Sequence, residues 1–104
     1  MALPPLTPEQ RAAALEKAAA ARRVRAELRE RLKQSTVSLT EVFLEGERDE
    51  AIGKMRVSAV LESMPGVGKI RAQRIMERLS ISASRRVRGL GAHQRSALER
   101  EFSE

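Results

Sequence analysis

The sequence contains no cysteine, tryptophan or tyrosine, and it has only two phenylalanines and one histidine. Without cysteine, the chain has no disulfide framework and no thiolate metal site. The histidine, His93, has no second ligand candidate near it in sequence, and no Ser-His-Asp triad can be built around it. Because no nucleophile–base pair or cofactor fingerprint is present either, we expect no catalytic residues, no metal, no cofactor and no enzymatic activity.

Long apolar runs are missing as well. No run approaches the ~20 residues that a helix needs to span a bilayer. The first ten residues, MALPPLTPEQ, lack the basic and apolar regions of a secretory signal. We therefore expect no membrane association, and the absence of cysteine fits a reducing cytoplasm. A length of 104 residues predicts a single small domain with a modest core.

Positive charge is concentrated in one third of the chain. Residues 54–88 hold nine basic and two acidic residues, whereas the rest holds eleven basic and twelve acidic residues. The whole net charge of +6 therefore lies in this segment, and the sequence pI is about 11.0. Such a concentration predicts a polyanionic partner. Since aromatic side chains for base stacking are scarce, double-stranded nucleic acid is favoured over single strands.

The N-terminal third predicts one long helix. Thr7 is a candidate N-cap, Pro8 suits the first helical position and Gln10 completes a capping box. Helix-forming residues then continue to about Lys33. An apolar stripe in the second half is expected to dock on the core, whereas the alanine-rich first half is expected to project or to be only partly ordered. The stripe consists of Val24, Leu28 and Leu32. The basic residues of this helix leave two interpretations open, a solvated face or auxiliary phosphate contacts; they are Arg11, Lys17, Arg22, Arg23 and Arg25.

The remaining residues predict shorter helices and an all-α fold. Ser38, with Glu41 at the capping-box position, begins a second helix that is expected to end near Gly46. Further helical segments are predicted over Asp49–Gly53, Val57–Ser63, Lys69–Leu79 and Ala92–Phe102. A short turn containing residues 85–88 is expected to be capped by Ser84. The predicted core positions include Leu39, Val42, Phe43, Leu44, Ile70, Ile75, Met76, Leu79, Ile81, Leu98 and Phe102.

Two segments follow from this pattern. Residues 1–34 form a leader and an Ala/Arg-rich helix, and residues 35–104 form a globular unit. Within residues 34–53 the acidic residues outnumber the single arginine by five to one. We expect this acidic segment to face away from a polyanionic partner and to serve solubility, because no histidine or metal-ligand spacing accompanies its carboxylates.

The stretch Met64-Pro65-Gly66-Val67-Gly68-Lys69 predicts an anion-binding turn. Pro65 ends the preceding helix, and the two glycines allow unusual backbone angles and leave the backbone bare. The next helix starts here with unpaired amides and a positive dipole end. Val67 is expected to plug the core from within the turn. The spacing fails both the P-loop and the dinucleotide fingerprint, since Ile70 and Arg71 stand where those motifs need other residues.

The turn and the helix after it, MPGVGKIRAQRIM, resemble the helix-hairpin-helix type of phosphate-binding turn. The continuation through RRVRGLG to a final helix is similar to the helix-two-turn-helix module of Fpg/Nei DNA glycosylases and of a ribosomal small-subunit protein. No glycosylase active-site residue is matched, because Met1-Ala2 stands where those enzymes have an N-terminal proline. Together with ARRVRAELRERLK and KMRVSAVLESMPGVGK, these motifs resemble the actinobacterial integration host factor family over nearly the full length.

This resemblance implies a small, monomeric, nucleoid-associated protein that binds duplex DNA with little sequence preference. It also implies a change in DNA curvature or topology, global gene regulation and support of phage integration through an integrase complex. Carried over by motif, the expected DNA-binding residues are Lys54, Arg56, Pro65, Gly66, Val67, Gly68, Lys69, Arg71, Arg85, Arg86 and Arg88.

Two other classes remain open at this point. The helix-two-turn-helix resemblance is equally compatible with a structural RNA-binding protein, which A-form geometry would distinguish from a DNA-binding protein. A protein–protein adaptor is the third class, and its expected signature is an exposed apolar groove.

Overall fold

The computed structural model describes residues 4–103, which form six α-helices and one 3₁₀ turn, so that the predicted all-α class is confirmed. The first three residues of the leader lie outside the described range. The described part of the chain measures 51 × 33 × 24 Å along its principal axes, and none of its helices is long and apolar enough to cross a membrane. The elements are α1 (Pro8–Lys33), α2 (Leu39–Arg48), α3 (Glu50–Gly53), α4 (Val57–Glu62), α5 (Lys69–Arg78), the 3₁₀ turn Val87–Gly89 and α6 (Ala92–Phe102).

Helix α1 begins at the predicted capping box. The amide of Gln10 donates to Oγ1 of Thr7 at 3.1 Å, and the amide of Thr7 donates to Oε1 of Gln10 at 3.0 Å. Its second half docks through buried Leu28 and Leu32, which confirms the predicted stripe, and it packs on α3. Residues 8–18 are all exposed, as expected for a half that projects from the core.

Two predicted core residues are wrong, and both errors concern helical phase. Leu44 is 51% exposed, because the buried positions of α2 are Leu39, Val42, Phe43 and Gly46. Ile70 is 67% exposed, because the buried stripe of α5 consists of Ala72, Ile75 and Met76. Both stripes follow the i, i+3, i+4 spacing of one helix face, and Leu44 and Ile70 lie outside it.

Two glycines bring α2, α3 and the 3₁₀ turn into close contact. A Cβ on Gly53 would lie 2.6 Å from the carbonyl oxygen of Gly46, and a Cβ on Gly46 would lie 2.9 Å from Cγ1 of Val87. Helix α2 ends at Arg48, two residues beyond Gly46, near which its end was predicted. Gly46 allows the close packing of α2 on α3. Asp49 is both the C-cap of α2 and the N-cap of α3, and its carboxylate accepts a hydrogen bond from the amide of Ala51 at 2.9 Å.

Two of the five acids of the acidic segment pair with arginines of other helices. Glu45 accepts two hydrogen bonds from Arg31 of α1, at 2.9 and 3.2 Å, and this contact raises the pKa of Arg31. Glu47 accepts from Arg95 of α6 at 2.7 Å. Glu50 pairs with Lys54 at 2.6 Å, so this acid does not face away from the surface that is expected to meet a polyanionic partner. Its ion pair thus lies beside the basic segment.

Candidate nucleic-acid interface

The first turn of the basic segment connects α4 to α5. Gly66 has a φ of +75°, a backbone conformation that side-chain-bearing residues rarely adopt. The amide of Val67 donates to the carbonyl oxygen of Met64 at 3.1 Å, and the Val67 side chain is buried, so the predicted plug is confirmed. Pro65, Gly66 and Gly68 are exposed on the outside of this turn.

The N-terminus of α5 is open to solvent. Gly68 is its N-cap, has extended backbone and supplies no side-chain cap. The first amide of α5 to bond within the helix is that of Ala72, which donates to the carbonyl oxygen of Gly68 at 3.0 Å. The amides of Lys69, Ile70 and Arg71 precede it and have no helical acceptor. Since nothing lies within 4 Å of a Cβ built on Gly68, an anion has free access to these donors.

Arg71 stabilises this turn from the side. Its Nη1 donates to the carbonyl oxygen of Gly66 at 3.2 Å while the side chain stays exposed. The acceptor is neutral, so the guanidinium keeps its full charge next to the open amides. Lys69 adds a second positive charge at the same helix end.

The second turn, between α5 and the 3₁₀ turn, is built from hydroxyl side chains and a buried isoleucine. Ser80 has a φ of +57°, and the amide of Ile81 donates to the carbonyl oxygen of Met76 at 2.8 Å, which closes the helix in a Schellman motif. Ile81 is buried as predicted. The predicted cap is wrong: Ser84 bonds to Ser82, and Arg86 is the N-cap of the 3₁₀ turn without a side-chain cap.

A backbone bridge joins the two ends of the basic segment. The amide of Val57 donates to the carbonyl oxygen of Arg85 at 3.0 Å, and the amide of Val87 donates to that of Met55 at 2.9 Å. These two bonds form an isolated antiparallel bridge that pairs Arg56 with Arg86. Two arginines that are thirty positions apart in sequence are therefore neighbours on the surface.

Backbone carbonyls hold the arginines of the second turn. Nη1 of Arg86 donates to the carbonyl oxygen of Lys54, and Nη1 of Arg85 donates to that of Gly89 at 3.0 Å. Nη2 of Arg88 lies 3.4 Å from the carbonyl oxygen of Gly46, so Arg88 is directed towards α2 rather than outward. Because these acceptors are neutral, the side chains are positioned in advance without losing their charge.

Arg86 and Arg56 lie at a surface recess of about 360 Å³, called here the basic recess. Helix α1 contributes Arg25 and Arg29 to it. Arg25 is among the α1 residues for which the sequence left a solvated face or auxiliary phosphate contacts open, whereas Arg29 was not predicted. The helical spacing could have indicated both residues. Arg25 lies three positions before the buried Leu28 and Arg29 one position after it, so both flank the face of α1 that docks on the core. The basic recess is lined by Arg25, Arg29, Lys54, Met55, Arg56, Ala59 and Arg86.

One cation of the basic recess is partly neutralised. Lys54 pairs with Glu50, and the hydrogen bond from Lys54 is the main cause that lowers the pKa of the Glu50 carboxyl group. Both groups are exposed, and an ion pair of this kind contributes little to stability. Its consequence is electrostatic, because the fixed carboxylate reduces the positive potential at this edge of the recess.

A second recess, again of about 360 Å³, connects the two turns. Arg56 and Lys69 both line it, together with Ile81 and Ala83 of the second turn and with Glu62 and Glu77, the two acidic residues of the basic segment. The open end of α5 and the bridged arginines thus lie along one continuous surface. The structure brings Lys54, Arg56 and Arg86 together at the basic recess and places Lys69 of the first turn in the second recess with Arg56, whereas Arg85 and Arg88 line neither recess.

Comparison with known protein families shows the fold class to which the chain belongs. The chain has a helix-two-turn-helix fold, and the family described as the S13-like H2TH domain matches residues 32–102. Integration host factor of Streptomyces coelicolor is 72% identical over 102 residues, which cover 98% of this chain and 95% of that protein. Integration host factor of Mycobacterium tuberculosis is 62% identical over 102 residues, which cover 98% of this chain and 97% of that protein.

A solved structure agrees with these relatives. It is described as sIHF bound to an 8bp palindromic DNA, and it is 66% identical to this chain with a TM-score of 0.82. The match covers 85% of this chain and 99% of that one. The chain belongs to the integration host factor family of Streptomyces and mycobacteria, as the sequence motifs indicated.

Proposed function

We propose that this protein is a nucleoid-associated protein that binds double-stranded DNA through the continuous surface formed by its two turns. The observation that carries the proposal is the bridge between Arg56 and Arg86, because Arg56 also lines the recess that contains Lys69 at the open N-terminus of α5. Bare amides and cations are the groups that contact phosphates. Family membership supports the same partner, since the related sIHF structure is described as DNA-bound.

The contacts we assign are mainly to phosphates, which gives little sequence preference. The first turn contributes the amides that follow Gly68, with Lys69 and Arg71. The basic recess contributes Arg56 and Arg86, and we add Arg25 and Arg29 of α1 to the residues expected from sequence motifs. Lys54 lines the basic recess, Arg85 and Arg88 contribute further phosphate contacts from the second turn, and Pro65, Gly66 and Val67 shape the first turn. Val67 acts through its backbone, because its side chain is buried.

Two groups of contacts along one surface favour a change in DNA curvature. A rigid protein that holds two stretches of phosphate backbone imposes its own spacing on the duplex. We propose that the protein acts as a monomer in the bacterial nucleoid and alters DNA topology. Through this effect it would influence transcription broadly and support integrase-mediated phage recombination. The RNA-binding alternative is less well supported, because the relatives are integration host factors and the structural neighbour is DNA-bound.

Salt-dependent binding tests the proposal. Several duplexes of unrelated sequence and an RNA duplex of equal length would be titrated across a salt series. If the protein neutralises five or more phosphates, log K should fall by roughly 0.9 for each phosphate per log unit of salt, with similar slopes for all DNA sequences. Weaker binding to the RNA duplex is expected, because A-form geometry changes the spacing of the phosphates. Absence of DNA binding at low salt would refute the proposed function.

A further inference from the structure

Four large apolar side chains are exposed in residues 4–103, and Ile70 is the most exposed of them at 67%. Leu6 and Leu15 belong to the projecting N-terminal region, and Leu44 lies among the acids of α2. A single exposed apolar side chain does not by itself indicate a contact site, so its surroundings decide. Ile70 differs from the other three because it stands between two cations, Lys69 and Arg71, at the open N-terminus of α5.

Ile70 is the second residue of α5, and its own amide is one of the open donors at that helix end. An anion held by these amides therefore lies a few ångströms from the isoleucine side chain. Lys69 and Arg71 flank it in sequence, Arg74 follows one helical turn later, and the first turn of α5 contains no acidic residue. The occupant of this position must offer negative charge and apolar surface side by side.

Duplex DNA meets that requirement, since each phosphate adjoins the deoxyribose C–H groups that line the minor groove. We propose that Ile70 enters the minor groove next to the phosphate held by the first turn and acts as an apolar wedge that bends the duplex. Apolar side chains inserted in this way unstack a base step and kink the DNA. Val67 cannot take this role because its side chain is buried. The proposal rests on the proposed function and identifies the step that deforms the duplex.

The test measures affinity and bending separately in the full chain. Ile70→Gln and Ile70→Ala would be compared with wild type on a duplex of about 30 base pairs, a length typical of bent sites, with a fluorophore at each end. We expect about five- to tenfold weaker binding, which is less than full burial of an isoleucine side chain would give, because unstacking the base step offsets part of the gain. We also expect a loss of the energy-transfer change that reports bending. The salt slope should stay the same, since the cations are retained.

Leu44→Gln is the matched control, because it removes an exposed large apolar side chain among acids instead of cations. It should change neither affinity nor bending. The wedge is refuted if the Ile70 variants bend DNA as wild type does, whether or not affinity falls, or if wild type binds without bending. An anionic membrane surface would be the alternative occupant of this position, and vesicles rich in anionic lipid test it. Binding of wild type to the vesicles in preference to the duplex would overturn the proposal. Failure of wild type to bind any duplex would instead remove the proposed function itself.

Discussion

The two turns of the basic surface present positive charge in different ways. The first turn offers backbone amides at the open end of α5, and its conformation depends on Gly66 with a φ of +75°. The second turn offers guanidinium groups, which backbone carbonyls hold in place. Amides contribute partial charges fixed by the helix, whereas arginines contribute full charges on long side chains. One surface therefore combines a rigid, weakly charged contact with a strongly charged contact that needs positioning.

The difference also explains why the arginines do not need acidic partners. Pairing Arg85 or Arg86 with a carboxylate would position the side chain but cancel its charge. Neutral carbonyl acceptors position it and leave the charge for a phosphate. Elsewhere in the molecule, where Arg31 and Arg95 connect helices, carboxylates are the partners. The chain thus uses its arginines in two chemically distinct settings.

The largest effect is expected from removing the arginines of the second turn. Arg85→Ala combined with Arg86→Ala should weaken binding about 30- to 100-fold on every duplex at low salt, because two charge-assisted contacts are lost. Fluorescence anisotropy on several unrelated sequences would measure it, with circular dichroism to confirm folding. Arg48→Ala combined with Arg100→Ala removes the same charge from exposed positions outside the interface and should have a much smaller effect. Equal losses in the two double mutants would show that only net charge matters.

The next prediction contrasts the left-handed residue of each turn. Gly66→Ala should lower the free energy of unfolding by about 1–2 kcal/mol, because a Cβ is strained at this φ. Ser80→Gly should raise it by about 0.5–1 kcal/mol, because Ser80 already bears that strain at the end of α5. Urea unfolding would measure both changes. Ser35, which has a φ of 58° at the end of α1, provides the control, since Ser35→Gly should stabilise similarly. Stabilisation by Gly66→Ala would contradict this account of the turn.

A smaller effect is expected at the edge contributed by α1. Arg29→Ala should weaken DNA binding about fivefold and reduce the salt slope by about one phosphate, or ~0.9. The salt titration described above would measure both quantities. Arg11→Ala, in the projecting half of α1, removes an equal charge outside the basic recess. If both variants lost the same affinity and slope, the recess would not be a contact surface and α1 would contribute only general attraction.

The smallest effect concerns the ion pair beside the basic recess. Glu50→Gln frees Lys54 from its partner and should strengthen DNA binding about two- to threefold, an amount typical of a surface pair. Since Lys54 lowers the pKa of Glu50, the carboxylate is charged at neutral pH, where the variant differs most from wild type. The difference should shrink only as the pH falls through that lowered pKa and wild type loses the same charge. An unchanged affinity of Glu50→Gln at neutral pH would place Lys54 outside the contact surface.

Much of the fold was predictable because local interactions set it. The starts of α1 and α2 follow from capping boxes at Thr7 and Ser38, which need only residues three positions apart. The glycine turn and the open end of α5 also follow from a short stretch of sequence. The prediction of which helix face is buried was less reliable, since Ile70 and Leu44 are apolar residues that tertiary packing leaves outside the core. The end of α2 was predicted near Gly46 from the glycine itself, but Gly46 lies inside the helix, where the lack of a side chain allows close contact with Gly53 and Val87.

By itself, the sequence determined the helices, the anion-binding character of the first turn and the concentration of charge in residues 54–88. These properties depend on backbone hydrogen bonding and composition over a few residues. The tertiary structure alone decided that Arg56 pairs with Arg86, that Arg25 and Arg29 join them, and that Arg88 turns towards α2. Such neighbours are separated by more than twenty-five positions, and they meet only because the buried faces of α1, α3 and the 3₁₀ turn pack on one core.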